Sequence, residues 1–332
     1  MADAILTELR RLRLAGVDDR RDLSGVVEVG DWLFLANDEG RRIDVLARGD
    51  GEADWVWHAS RSLGKPGVEA DIEALAYADG QLYAIGSHAL RRRAPDAEAR
   101  GVAANRKRYR KIDREPARNR LYRMSFDAAS GELGAPAHID LSRRLRKDQL
   151  LAPFTRIPGK ENGVDIEGLA IRDGRLYLGL RGPVLRDKLV PVLVLEFDRP
   201  KRYRVRLVRL DGQGIRDMVA VDDGFVLLAG PVNEAAGPFR LWHWDGRDQL
   251  PGSDRVVRPA RRLATVGAPA GARAEGLCLL SENPAAWELL LLFDGVAGGE
   301  LRVVRLARRG GGRAGAGRGS DRMPIDRASR IV

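Results

Sequence analysis

The chain has 332 residues, 44% hydrophobic and 31% charged, with 38 Gly, 16 Pro and one Cys, a globular composition with enough apolar residues for a full core. The lone Cys278 excludes an internal disulfide framework and a Cys-based zinc site and suits a reducing compartment, and no apolar run approaches the ~20 residues of a membrane span. The net charge of +10 would suit nucleic acid, but 50 of the 57 basic residues are Arg and only seven are Lys, a bias that coding composition alone can produce, so only local clusters of Arg count.

Met1 to Leu14 mixes Arg and Glu with Leu and shows no apolar stretch ahead of a small-residue cleavage site, so a cytoplasmic protein without a membrane partner is expected. A repeated unit follows. Its first copy is Ser24-Gly25-Val26-Val27 before Gly30-Asp31-Trp32, and the second is Asp71-Ile72-Glu73-Ala74-Leu75-Ala76 before Asp79-Gly80 and Leu82-Tyr83. Residues 91–118 are too rich in Arg and too poor in aliphatics for inner strands and read as an insertion. Asn119 to Phe126 and Ala135 to Leu141 read as outer strands displaced by it. The third copy, Asp165-Ile166-Glu167-Gly168-Leu169-Ala170 before Asp173-Gly174, is followed by strands at Val192 to Phe197 and Tyr203 to Leu210. Asp217 to Val221 before Asp223-Gly224 starts the fourth, with strands at Phe239 to Trp244 and Val256 to Leu263. Glu275 to Leu279 before Trp287 starts the fifth.

Aligned on Leu33, Leu82, Leu176, Val226 and Leu289, the copies are 49, 94, 50 and 63 residues apart. Each reads as a tight hairpin, with Asp-Gly in three copies supplying the positive φ that such a turn requires, followed by one or two alternating strands. Four antiparallel strands per ~50 residues describe a propeller blade. The expectation is an all-β single domain over residues 1–307, a closed β-propeller of five blades, with six as the alternative because of the 94-residue spacing. Arg13-Leu14-Ala15-Gly16 matches Arg209-Leu210-Asp211-Gly212 at the end of an outer strand, so the N-terminal strand is expected to complete the fifth blade and close the ring. The Gly- and Arg-rich tail, 308–332, is expected to be disordered.

In a propeller the loop into the innermost strand and the loop out of the second strand share one face. The residues at the start of the inner strands are Ser24, Glu73, Glu167, Asp217 and Glu275, with Asp71 and Asp165 just before two of them. The residues leaving the second strands are Asn37-Asp38-Glu39, Ser87-His88, Arg181, Asn233 and Asp294. Carboxylates gathered this closely repel unless a cation compensates them. Oxygen donors with no thiolate favour a hard divalent cation, Ca²⁺ ahead of Mg²⁺, over zinc. The candidate metal ligands are therefore Glu73, Glu167, Asp217, Glu275, Asp38, Asp71, Asp165 and Asp294. The alternative is architectural: acids that bond backbone amides of neighbouring blades or pair with Arg181. His88 is the one histidine of four on this face and a candidate base or ligand, and Arg181 is the candidate catalytic cation. The clusters Arg91 to Arg93 and Arg106 to Lys111, and the shorter Arg186-Asp187-Lys188, would form a basic rim suited to a small anionic ligand. Cys278 reads as a packed core residue, and Trp242 and Trp244 beside His243 as packing or an exposed patch.

The Asp-Ile-Glu-Gly-Leu-Ala strand start, Ser24-Gly25 in the first unit and Ala36-Asn37-Asp38-Glu39-Gly40 at the end of its hairpin resemble a bacterial propeller family of unknown function. That family is distantly similar to the β-propeller phytases and esterase-like phytase-type domains. The resemblance spans roughly residues 20 to 307 and implies carboxylates at the channel mouth that bind Ca²⁺ beneath a substrate phosphate, with Glu73, Glu167, Asp217 and Glu275 at the matching positions. Two functions are therefore carried forward. One is a metal-dependent hydrolase of a phosphate ester or other anionic ester; the other is a non-catalytic propeller that binds a protein, peptide or glycan on this face. A nucleic-acid partner ranks lowest, because only Tyr109 interleaves the basic insertion.

Overall fold

The computed structural model describes residues 4–17, 22–99, 101–233, 237–296 and 299–308; the expected disorder of the tail concerns residues that, apart from Arg308, lie outside these. Five antiparallel sheets follow one another along the chain. The first blade is Leu23–Val29, Trp32–Asn37, Arg42–Arg48 and Trp55–Ser62. The second is Ile72–Ala78, Gln81–Gly86 and Arg120–Asp127, its outer edge shared by Glu132–Leu133 and Ala137–Asp140. The third is Asp165–Arg172, Arg175–Gly182, Leu189–Leu195 and Arg204–Arg209. The fourth is Gly214–Val221, Gly224–Gly230, Phe239–Trp244 and Arg261–Val266. The fifth has Arg273–Glu282, Ala286–Asp294 and Glu300–Ala307, and its fourth strand is the N-terminal Leu6–Leu12, antiparallel to Glu300–Ala307. The ring is closed as the sequence predicts.

Local chemistry sets the hairpins. Asp79-Gly80 and Asp173-Gly174 have both residues at positive φ, 51° and 73° in one and 52° and 67° in the other, the two-residue turn whose twist matches the flanking strands. Five buried apolar clusters hold the blades together, one at each seam, from first-to-second through fifth-to-first. Five clusters for five seams leave no place for a sixth blade. Inner strands such as Asp165–Arg172 are buried on both faces because each lies between two neighbours.

The 94-residue spacing divides into two parts. Residues 91–118 form an arm with a short Arg91–Arg92/Ile112–Asp113 ladder and the helix Val102–Tyr109, none of whose residues is buried. Residues 142–161 carry short helical turns, Ser142–Leu145, Ala152–Arg156 and Gly159–Glu161, that seat Leu145 and Leu151 in the second-to-third seam. The outer strand of the fourth blade corrects the expected Val256 to Leu263. Pro259 has no amide to donate to a ladder, Val256 is 90% exposed, and pairing begins only at Arg261. Trp242 and Trp244 form no surface patch: both are buried, and the Trp244 indole donates to the Arg247 carbonyl at 2.7 Å. Cys278 is buried in the fifth-to-first seam as expected. Among the described residues no helix is long and apolar enough to cross a membrane.

Candidate functional site

Each inner strand begins with the same irregularity. The ladder to the second strand skips one residue between Leu23 and Gly25, Ile72 and Ala74, Ile166 and Gly168, Ile215 and Asp217, and Ala274 and Gly276. The bulged residues are Ser24, Glu73, Glu167, Arg216 and Glu275, which places one polar or charged side chain per blade around the channel. Sequence reasoning put Asp217 in this ring, and the structure replaces it with Arg216. The signal was present: aliphatic-X-small-aliphatic reads Ile72-Glu73-Ala74-Leu75, Ile166-Glu167-Gly168-Leu169 and Ile215-Arg216-Asp217-Met218, so Asp217 holds the small position.

That position faces the inner strand of the next blade. A Cβ at Gly168 would come within 2.9 Å of Ile215, and the Asp217 carboxylate accepts the Leu277 amide at 2.7 Å and the Met218 amide at 2.8 Å. Burial pushes its pKa well up while these amides and that of Leu169 pull it down. Asp217 thus fastens the fourth blade to the fifth and does not line the cavity at the mouth. Asp217→Ala would leave the buried Leu277 amide without its acceptor and is expected to lower stability by ~1–3 kcal/mol in denaturant unfolding. An unchanged midpoint would remove it from the architecture.

The mouth is a cavity of about 660 Å³. Of the proposed ligands, Asp38, Asp71, Glu73, Asp165, Glu167, Glu275 and Asp294 line it together with Arg181. Arg181 bonds Asp165 at 2.5 Å and Glu167 at 2.7 Å through its Nη atoms. Arg216 bonds the other Glu167 oxygen at 3.0 Å and also Glu275. Arg118, from the end of the arm, bonds Asp71 at 2.9 Å and Glu115 at 2.7 Å and also reaches Glu69, while the Ser87 hydroxyl donates to Asp71. The architectural alternative is therefore realised in part.

The pairing is incomplete. Among the described residues no hydrogen bond or ion pair holds the Glu73 carboxylate, and buried Oδ1 atoms of Asp38, Asp165 and Asp294 lack partners. Glu73, Asp165 and Glu167 each offer an oxygen within 4.8 Å of the others. Burial first, and then crowding by other carboxylates, pushes Asp38 up to about 8 and Glu73 well above the usual range. Burial outweighs Arg118 to raise Asp71 to about 7, and outweighs Arg181 and Arg216 to raise Glu167 to about 8. Asp294 rises to about 6, again chiefly by burial.

His88 falls outside this group. Its backbone is left-handed at φ 58°, its Nδ1–H donates to the Gly86 carbonyl at 2.7 Å, and burial lowers its pKa to about 4. Its neighbours Ser87 and Ala89 line the cavity, and His88 does not. The rim follows the sequence reading in part: Arg91, Arg92, Arg93 and Tyr109 line the cavity, and Arg186-Asp187-Lys188 does not. Residues that the sequence reading did not select are Arg118, Arg216, Lys160 and Arg273; Lys160 is brought in by the helical turns of 142–161.

Residues 22–304 match the model of a family described as protein of unknown function, DUF3616. The chain belongs to this family. A comparison of this DUF3616 chain with curated proteins gave no match. Among solved structures it is similar to glutaminyl cyclase of Myxococcus xanthus, at 12% identity over 92% of this chain and 98% of that one, with a TM-score of 0.49. It is also similar to an exo-β-1,3-galactanase of Phanerochaete chrysosporium, at 8% identity and TM-score 0.46, covering 91% of this chain and 64% of that one. A hypothetical protein from Leishmania major gives 11% identity and TM-score 0.43 over 90% and 89% of the two chains.

Proposed function

We propose that the mouth of this propeller binds a hard divalent cation, calcium ahead of magnesium, at Glu73, Asp165 and Glu167, and hydrolyses there a phosphate ester or other anionic ester. The observation that carries the reading is the convergence of these three oxygens with a buried, unpartnered Asp165 Oδ1. Local charge supports it. Among the described residues ten carboxylates line the cavity against seven cationic side chains, with Arg216 paired to Glu167 and Glu275 beside it. The excess must be neutralised by protons or by a cation. A site of carboxylate oxygens with irregular spacing suits calcium, whereas magnesium demands near-octahedral geometry. When bound, the cation supplies electrophilic polarisation and an acidified water. Glu73, which no arginine holds among the described residues, would be free to hold the cation or to accept a proton from an acidified water, and Arg91 to Arg93 with Arg273 would hold the anionic periphery of the ligand. The activity implied by the phytase resemblance belongs to this reading, as does a cytoplasmic location.

Glu73→Gln tests the reading, because Glu73 can lose its charge without breaking an ion pair. Thermal melts of the wild type with Ca²⁺ should show stabilisation of ~2.7 kcal/mol at a hundredfold excess over the dissociation constant, reversed by chelator. The cation-dependent part should shrink in Glu73→Gln, while the cation-free variant is no less stable, relieved of repulsion. A wild type indifferent to Ca²⁺, Mg²⁺ and chelator would overturn the site. Phosphomonoester, phosphodiester, inositol polyphosphate, lactone and carboxylester substrates then test the chemistry. The rival reading, a non-catalytic face for a protein, peptide or glycan, is favoured by the two arginines that occupy both Glu167 oxygens, and cation binding without turnover would support it.

A further inference from the structure

Beside the large cavity lies a second one of about 300 Å³ on the side of the fourth blade. It shares Lys160, Arg181, Asn233 and Arg273 with its neighbour and adds Arg216 and Phe239. Four of its lining residues are basic and, among the described residues, none is acidic. The mouth is thus polarised: the first, second, third and fifth blades all bring carboxylates to the larger cavity, and the smaller one lies where the fourth blade supplies Arg216 to the ring. The charged groups behind Arg181 and Arg216 are Asp165, Glu167 and Glu275, whose ion pairs turn the Nη atoms of both guanidiniums away toward the ring.

We propose that this small cavity is an anion subsite that takes a phosphoryl group, the remainder of the ligand lying in the larger cavity. Arg216 is only 4% exposed and Arg181 11%, and the Nε of each is buried without a partner. A buried guanidinium with an unused donor is a cost unless a ligand accepts from it. Both planes are fixed in advance, Arg181 and Arg216 by their carboxylates and Arg216 also by the Phe239 ring 6.0 Å from it, so little side-chain freedom remains to be lost on binding. Four cationic side chains around one cavity, Lys160, Arg181, Arg216 and Arg273, suit a dianion such as a phosphoryl group better than a monoanionic carboxylate. This deepens the ester reading by naming the ligand's anionic group, and it requires no cation.

The test is titration calorimetry of the full chain with inorganic phosphate in chelator, against acetate and chloride at matched ionic strength. Phosphate should bind and the other two should not. Arg273→Gln, at an exposed position that spares the buried network, should weaken phosphate binding about tenfold, the size of one lost charge-assisted bond, with an unchanged melting temperature. Arg216→Lys, which keeps the charge and loses the planar fork, should also weaken it. Glucose 6-phosphate separates the sources: binding tighter than inorganic phosphate places the remainder in the larger cavity, and weaker binding overturns that placement. The subsite is overturned if phosphate binds no tighter than acetate, or if neither variant weakens it. Phosphate binding that appears only with Ca²⁺ also overturns it and leaves the cation reading standing. Phosphate binding in chelator by a chain indifferent to Ca²⁺ has the reverse meaning.

Discussion

Removal of residues 1 to 18 is expected to destabilise the protein by several kcal/mol, enough to abolish cooperative unfolding at moderate temperature. Leu6–Leu12 supplies the only partner that Glu300–Ala307 has on its outer side among the described strands, in register from Leu6 opposite Leu306 to Leu12 opposite Leu301 with one bulge at Leu9. The segment then crosses to the first blade. The Arg13 carbonyl accepts the Asp54 amide at 2.8 Å, and Leu14-Ala15 runs parallel to Trp55-Val56. Leu12 and Val17 are buried in the fifth-to-first seam. Each lost ladder bond is worth ~1 kcal/mol net and each of the two buried aliphatics ~1.5–3 kcal/mol. Their sum approaches the total stability of a typical domain, ~5–15 kcal/mol. Tryptophan fluorescence against denaturant measures it, and a truncated chain with the wild-type midpoint would mean that the seam closes without the strap.

The blades were legible because each carries its own local rule. Asp79-Gly80 and Asp173-Gly174 prescribe hairpins by backbone chemistry alone, and a segment as poor in aliphatics as residues 91–118 cannot lie between two sheets, which favours five blades while the 94-residue spacing keeps six as the alternative until the five seams are seen. The face of the site was legible too, since matched positions of a repeat share a face: Asp38, Ser87, Arg181, Asn233 and Asp294 all reach the cavity. Where sequence and structure differ, register outranks residue type. Asp217 looked like the acid of its blade, yet the ladder bulges at Arg216, and one residue of offset exchanges a carboxylate for a cation in the ring. Arg118 and Lys160 were illegible for another reason. They enter from segments outside the repeat, and nothing local announces that Arg118 lies against Asp71, 47 positions earlier. His88 followed the repeat in position but not in direction, because its left-handed backbone turns the ring toward the Gly86 carbonyl.

Arg181→Met should cost ~3–5 kcal/mol at neutral pH, the usual penalty for leaving buried charge without its partner, and the size of the deficit should depend on pH. In the wild type, burial and mutual repulsion hold Asp38 and Glu167 up at about 8 and Asp71 at about 7, well above their unfolded values near 4. Between those limits the folded chain holds protons that the unfolded chain has released, so the stability these groups contribute is present at low pH and lost as the pH rises through 7 to 8. The carboxylates that shift the other way, Asp113, Asp127, Asp198 and Asp222, are lowered by Arg93, Ser130, Arg123 and Arg308, and they act only below about pH 4. The wild type should therefore be less stable at pH 9 than at pH 6. Methionine in place of Arg181 removes one of the two cations that hold Glu167 down, Arg216 being the other, and so raises the Glu167 pKa further. At pH 5 Glu167 is neutral in the variant and little is lost; at pH 9 it must ionise with Arg216 as its one remaining ion-pair partner among the described residues. Denaturant midpoints of wild type and variant at pH 5, 7 and 9 should diverge steadily with pH, and saturating Ca²⁺ should narrow the gap if the cation occupies the carboxylates that Arg181 leaves. A deficit of constant size across that range would mean that Arg181 serves by its packing and that the ring carries no excess charge for a cation to meet.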